Sequence, residues 1–199
     1  MKGRVLPVAL LTGGLLVGVG GAYGSAASAG TPSPPAALTA PAATTPAADH
    51  NDQDVMFARM MIPHHRQAVE MGRLAEGRAA DARVARLARR IEAAQAPEIR
   101  TMSGWLRAWG EQVPGESPAP AHHAMPGMMS PEDMRRLEGL SGRAFDRAFL
   151  TMMIRHHEGA VAMARDELRS GIYAPARRMA ASIVFSQSAE IKEMKSLLG

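Results

Sequence analysis

The chain uses one stretch twice. Met60–Met71 reads MMIPHHRQAVEM, and Met152–Met163 reads MMIRHHEGAVAM. The offset, 156 − 64 = 92, holds without a gap from Asp54/Asp146 to Leu106/Leu198, and 20 of the 53 aligned positions are identical. That agreement marks a duplicated unit. Whatever the unit folds into, the chain must hold two of them, with equivalent residues facing each other or lining equivalent pockets.

The periodicity inside the unit is helical. Phe57, Met61, His64, Ala68, Met71 and Ala75 recur at spacings of three and four, which predicts a helix from about Asp52 to about Arg78 after N-cap candidates in Asp49–Asp52. Pro63 lies inside it and removes one hydrogen bond beside the histidines. A turn at Gly77–Ala80 and an N-cap at Asp81 introduce a second helix over about 82–109, with Val84, Leu87, Ala88, Ile91, Ile99, Met102 and Leu106 on its apolar face. Residues 110–130 carry Pro114, Pro118, Pro120 and Pro126 and read as a loop. Ser130-Pro131 opens a short helix to about Leu140. Helices over about 142–170 and 174–198 repeat the first pair. No stretch alternates with period two. The expected fold is all-α, an antiparallel four-helix bundle of two duplicated hairpins about a pseudo-twofold axis.

The first thirty residues stand apart. Lys2 and Arg4 precede the apolar Val5–Gly21 run and the small-residue stretch Ser25–Ala29, the layout of a secretory signal over residues 1–29. Cleavage gives a secreted, extracellular or periplasmic protein; retention gives a membrane tether. Residues 30–48, rich in Thr, Pro, Ser and Ala, read as a flexible linker to a bundle domain over 49–199. The chain has no cysteine, so disulfides and thiolate metal sites are excluded. Without Lys2 and Arg4 the net charge falls to 21 − 19 = +2 and aromatics make up 4 % of residues, a poor basis for nucleic-acid binding. Homo-oligomerisation is left open.

Fifteen methionines and seven histidines, six of them in adjacent pairs, give the chain its chemical character. On the first helix Asp54, Met61, His64 or His65, Ala68 and Met71 share a stripe, and adjacent histidines lie about 100° apart, so one points inward and the other towards a helix seam. The third helix repeats this with Asp146, Met153, His156, His157, Ala160 and Met163. On the second, Gln95, Glu98 and Met102 share a face; on the fourth, Gln187, Glu190 and Met194 do. Imidazole, carboxylate and thioether groups form a metal-ligand inventory, with thioether selecting Cu(I). Di-iron bundles use Glu-x-x-His pairs; here Gln-x-x-Glu stands in the second and fourth helices. The plain alternative is a core in which methionine fills space and buried histidines pair with Asp54, Asp146, Glu98 and Glu190. The loop AHHAMPGMM adds His122, His123, Met125, Met128 and Met129. A loop gives methionine no packing reward, so this cluster reads as copper capture, against the alternative of a hydrophobic loop folded back on the bundle. Arg73, Arg78, Arg83, Arg86, Arg89 and Arg90 read as a solvated face, and Trp105 and Trp109 as packing over a bundle end.

FARMMIPHHRQAVEM, QAPEIRTMSGWL, MPGMMS and FDRAFLTMMIRHHEGAVAMA together resemble the exported family known as domain of unknown function 305, over about Asp52–Leu198. The resemblance implies a ferritin-like four-helix fold and, for some members, periplasmic copper binding and resistance. It carries over to His64, His65, His156, His157 and the flanking methionines, and assigns no ligand set.

The reading of the whole is a secreted or periplasmic metal-binding bundle that sequesters or delivers copper without turnover. Its rivals are a dinuclear iron or manganese oxidase and a metal-free interaction module. If imidazoles bind the metal, that binding is expected to weaken below about pH 6, while thioether binding of Cu(I) persists.

Overall fold

A computed structural model describes residues 49–115 and 125–199. The expected signal segment 1–29 and linker 30–48, with His122 and His123, lie outside the described residues. Five helices follow in order: α1 Asp52–Leu74, α2 Ala82–Ala108, α3 Pro131–Glu138, α4 Gly142–Ser170 and α5 Ala174–Leu198. Among the described residues there is no strand, only one isolated bridge between Ala79 and Gly142. The all-α reading therefore stands.

The helix starts follow the capping residues. Asn51 caps α1 in a capping box with Asp54, Asp81 caps α2, and Ser130 with Asp133 boxes α3 ahead of Pro131. Helix α1 ends at Leu74, four residues before the expected Arg78. Ala75–Arg78 form a turn in which Gly77 takes φ 73°, left-handed backbone that stops a helix. Helix α3 likewise stops at Glu138, two residues short of Leu140. The helices continue past Pro63 and Pro97, each of which leaves out one hydrogen bond of the ladder.

Helices α1 and α2 form one hairpin and α4 and α5 the other; α1 and α4 meet along the seam between them, and α3 lies over that seam. The core has two apolar clusters. One gathers Met61, Met102, Met163 and Ile183 with Phe57 and Leu106; the other gathers Met71, Met153, Met194 and Ile91 with Phe145 and Phe149. The repeat interchanges the two methionine sets, Met61 with Met153, Met102 with Met194, and Met71 with Met163. That is what a pseudo-twofold axis across the bundle requires.

The hairpins are locked by a reciprocal pair of acids. Asp54 in α1 accepts from the backbone N–H groups of Ile172 and Tyr173 in the α4–α5 turn, at 3.3 and 3.0 Å. Asp146 in α4 accepts from Ala80 and Asp81 in the α1–α2 turn, at 3.2 and 2.9 Å. Each carboxylate satisfies two orphan donors at the start of a helix in the opposite hairpin. At the end marked by Asp54, Trp109 meets Tyr173 edge to face with centroids 5.1 Å apart and stacks on His50 at 4.4 Å; Trp105 joins them.

Candidate metal centre

Four histidines occupy the middle of the bundle. His64, His65, His156 and His157 are all fully buried, although adjacent positions about 100° apart on one helix cannot bury both rings against one neighbour. The structure resolves this by giving each member of a pair a different partner. His65 Nε2 donates to Glu98 Oε2 at 2.7 Å, and His157 Nε2 donates to Glu190 Oε2 at 2.8 Å. These are the same bond in the two copies, joining α1 to α2 and α4 to α5. The Glu98 and Glu190 side chains are 22 % and 18 % exposed, so each His–Glu pair reaches from the core to the surface.

His64 and His156 turn instead towards the α1–α4 seam. Their ring centroids are 3.8 Å apart and their planes are inclined by 40°. Burial, followed by the proximity of His65, lowers the pKa of His64 to about 3; burial and the charge of His64 hold His156 well below the ordinary histidine range. Both rings are thus neutral at physiological pH, each with a lone pair available. The expectation that protonation weakens an imidazole site near pH 6 does not hold for these two, because the buried ring resists the charge.

The loop ahead of α3 forms a strap over the seam. His64 Nε2 donates to the Pro126 carbonyl at 3.1 Å. Gln67 clamps the strap with both ends of its amide: it donates to the Met129 carbonyl at 2.9 Å and accepts from the Met129 N–H at 2.7 Å. Gly127 takes φ 81°, and a Cβ on Gly159 would overlap the Pro126 carbonyl, so glycine is required where strap and α4 touch. Met129 is fully buried in the core and Met125 nearly so; Met128 is half-buried. Arg155 donates to the Met129 sulfur at 3.0 Å. The premise that loop methionines gain nothing from packing is corrected here: the strap folds back and packs its thioethers.

Five imidazole nitrogens are left buried without a hydrogen-bond partner: Nδ1 of His64, His65 and His157, and both nitrogens of His156. An unmet buried polar atom costs about 1–3 kcal/mol; one of the two His156 nitrogens carries a proton, and the four lone pairs that remain suit a group that accepts electron pairs. A metal ion fits that need, and the thioethers of Met61, Met71, Met102, Met153, Met163 and Met194, all buried in the two flanking clusters, suit a soft one. Among the described residues no three His, Asp or Glu side chains converge as a ready-made cation site. Asp54 and Asp146, placed on the same stripes by sequence, spend their oxygens on backbone N–H groups at the hairpin turns. Gln95 and Gln187 are buried on the Glu-bearing faces with their carbonyl oxygens free of donors.

Two residues here escape sequence reasoning. Gln67 and Glu167 sit where the copies differ, opposite Gly159 and Ala75 in the repeat. A search for shared residues passes over both. Glu167 is buried against Asp54; burial first, then the hydrogen bond and charge of Asp54, raise its pKa to about 8.

The comparisons with known proteins accord with this geometry. The family described as domain of unknown function (DUF305) matches residues 54–198. A solved DUF305 protein of Streptomyces coelicolor, described as secreted, is 36 % identical with a TM-score of 0.67, covering 73 % of this chain and 91 % of its own. A DUF305 fragment from Deinococcus radiodurans is also 36 % identical with a TM-score of 0.67, covering 75 % and 97 %. CopM in its Cu(II)-bound form is 34 % identical with a TM-score of 0.65, covering 73 % and 95 %, and CopM has also been solved with Cu(I) and with silver. Among curated proteins none matches the chain. No helix among the described residues is long and apolar enough to cross a membrane.

Proposed function

The chain belongs to the DUF305 family, and on that premise we propose that it is an exported copper-binding protein that sequesters or hands on the metal without turnover. The observation that carries the reading is the buried set of four histidines with five unpartnered ring nitrogens. His64, His65, His156 and His157 supply imidazole. The two methionine sets, with Met125, Met128 and Met129 of the strap, supply thioether from either side of the histidine layer. Neutral nitrogen and sulfur together favour Cu(I) over a hard cation. CopM, with copper or silver bound, is a relative of the same fold and supports the choice of metal. Bound copper acts here as cargo. The residues would bind it, strip its water and shield it, and Glu98 and Glu190 would orient the imidazoles.

The test is titration of the purified protein with Cu(I) and with Cu(II), each followed by elemental analysis, beside a variant carrying His64→Ala, His65→Ala, His156→Ala and His157→Ala. Stoichiometric copper in the parent and its loss in the folded variant are expected. Equal binding by both, or two irons per chain with oxygen consumption, would overturn the reading.

A further inference from the structure

Which ring nitrogen meets the metal can be worked out from the hydrogen bonds the histidines already make. A neutral imidazole has one N–H and one lone pair, and its partner on one nitrogen decides the role of the other. The Pro126 carbonyl can only accept, so His64 Nε2 must carry the proton of that 3.1 Å bond. The carboxylates of Glu98 and Glu190 likewise take the Nε2 protons of His65 and His157. In all three rings the lone pair is then on Nδ1, the atom left buried and without a partner. His156 has no acceptor on either nitrogen and receives no assignment.

We propose that His64, His65 and His157 bind metal through Nδ1, and that Gln67 is a positioning residue that fixes this at His64 by clamping the 125–129 strap. The inference rests on the metal-binding reading above and specifies its chemistry. The strap does for His64 what a glutamate does for its two neighbours: it holds the Nε2 proton and so aims the other nitrogen. A backbone carbonyl can serve that purpose only while the strap is held, and Gln67 holds it through two hydrogen bonds to Met129. The requirement for glycine at Gly159 shows how closely the Pro126 carbonyl is seated. Where the duplicated plan lacks a third glutamate, the loop supplies a carbonyl.

The test is long-range ¹H–¹⁵N spectroscopy of the histidine rings in the full chain, with and without Ag(I) as a redox-inert probe. In the metal-free protein the Nε2 protons of His64, His65 and His157 are expected to be present and protected from exchange. Silver is expected to shift their Nδ1 signals and leave Nε2 protonated. Gln67→Ala should expose the His64 Nε2 proton to exchange and weaken silver binding by about 10- to 100-fold, with the protons of His65 and His157 unaffected. Glu98→Ala, on a residue that reaches the surface, should give the same loss at His65 alone. Silver on Nε2, or unchanged His64 protection and affinity in Gln67→Ala, would overturn the assignment. Silver that shifts no imidazole nitrogen would instead overturn the metal reading beneath it.

Discussion

Acidification should separate two opposing buried groups, and the arithmetic is specific enough to be refuted. His64 has a folded pKa of about 3 against an ordinary 6.5, and His156 is depressed well below the same value. An acid-depressed base stabilises the fold above the unfolded value of 6.5; that stability is lost as pH falls, because only the unfolded chain takes up the proton. From pH 7 to 5 each histidine removes about 2 kcal/mol, or about 4 for the two, at about 1.4 kcal/mol per unit. Glu167 acts in the opposite sense. Its pKa is raised from 4.5 to about 8, so its contribution is complete below 4.5 and is lost as pH rises through 8. Over the same interval acidification restores about 2–3 kcal/mol through this group. The parent should therefore lose only about 1 kcal/mol between pH 7 and 5, and about 2 more by pH 4, as the glutamate's compensation runs out. Glu167→Gln, which keeps a hydrogen-bonding amide beside Asp54 but cannot titrate, should lose about 4 kcal/mol between pH 7 and 5. Against a total stability of about 5–15 kcal/mol, that is readily measured. Urea unfolding of the metal-free protein, followed by far-UV circular dichroism at pH 7, 6, 5 and 4, gives both curves. Parallel curves for parent and variant would refute the role given to Glu167. A parent whose stability is unchanged down to pH 4 would refute that given to the histidines.

Three further outcomes follow from the packing. Gly159→Ala, which elsewhere in a helix would gain about 1 kcal/mol, should instead destabilise by about 1–3 kcal/mol through its collision with the Pro126 carbonyl, read by urea midpoint. Asp54→Ala and Asp146→Ala should each cost about 2–4 kcal/mol by leaving two turn N–H groups unmet. Both should leave metal stoichiometry by elemental analysis unchanged; a lost equivalent would make the acid a ligand. Copper held at His64 and His156 should stay bound at pH 5, where His64 is still neutral, and chelator-free gel filtration with metal analysis across pH 7 to 4 checks it. Release at pH 6 would mean that these two rings do not hold the metal.

The helices were legible because each rests on a local rule. Asp81 and Ser130 announce helix starts by their side-chain chemistry, and the apolar stripes of α1 and α4 keep their period across the whole unit. The pairing of His65 with Glu98 was implicit in the repeat, since both residues recur 92 positions on as His157 and Glu190. The roles of Asp54 and Asp146 were not legible. A stripe records which side of a helix a residue occupies and says nothing of its height relative to a turn in another hairpin. Both acids share a side with the histidines, yet both end on backbone N–H groups of the opposite turn. The burial of Met125 and Met129 was one of two open readings for a related reason: the seam that receives them exists only after α1 and α4 have met.

Duplication and its exceptions divide the labour of this fold. A twofold-related pair of residues can do only what both halves need, and the conserved offset accordingly holds the hairpin locks at Asp54 and Asp146 and the imidazole–carboxylate bonds to Glu98 and Glu190. The loop between the copies occurs once, and one strap laid across a pseudo-twofold axis must meet different residues on its two sides. On α1 it needs a side chain long enough to grip its backbone, and Gln67 provides that. At the equivalent site on α4 it needs room for its own carbonyl, and Gly159 provides that. The same asymmetry separates the central histidines, for His64 acquires a partner in Pro126 while His156 keeps two free nitrogens. A symmetric scaffold thus presents an asymmetric centre. Of its four imidazoles, His156 is the one that hydrogen bonds commit least.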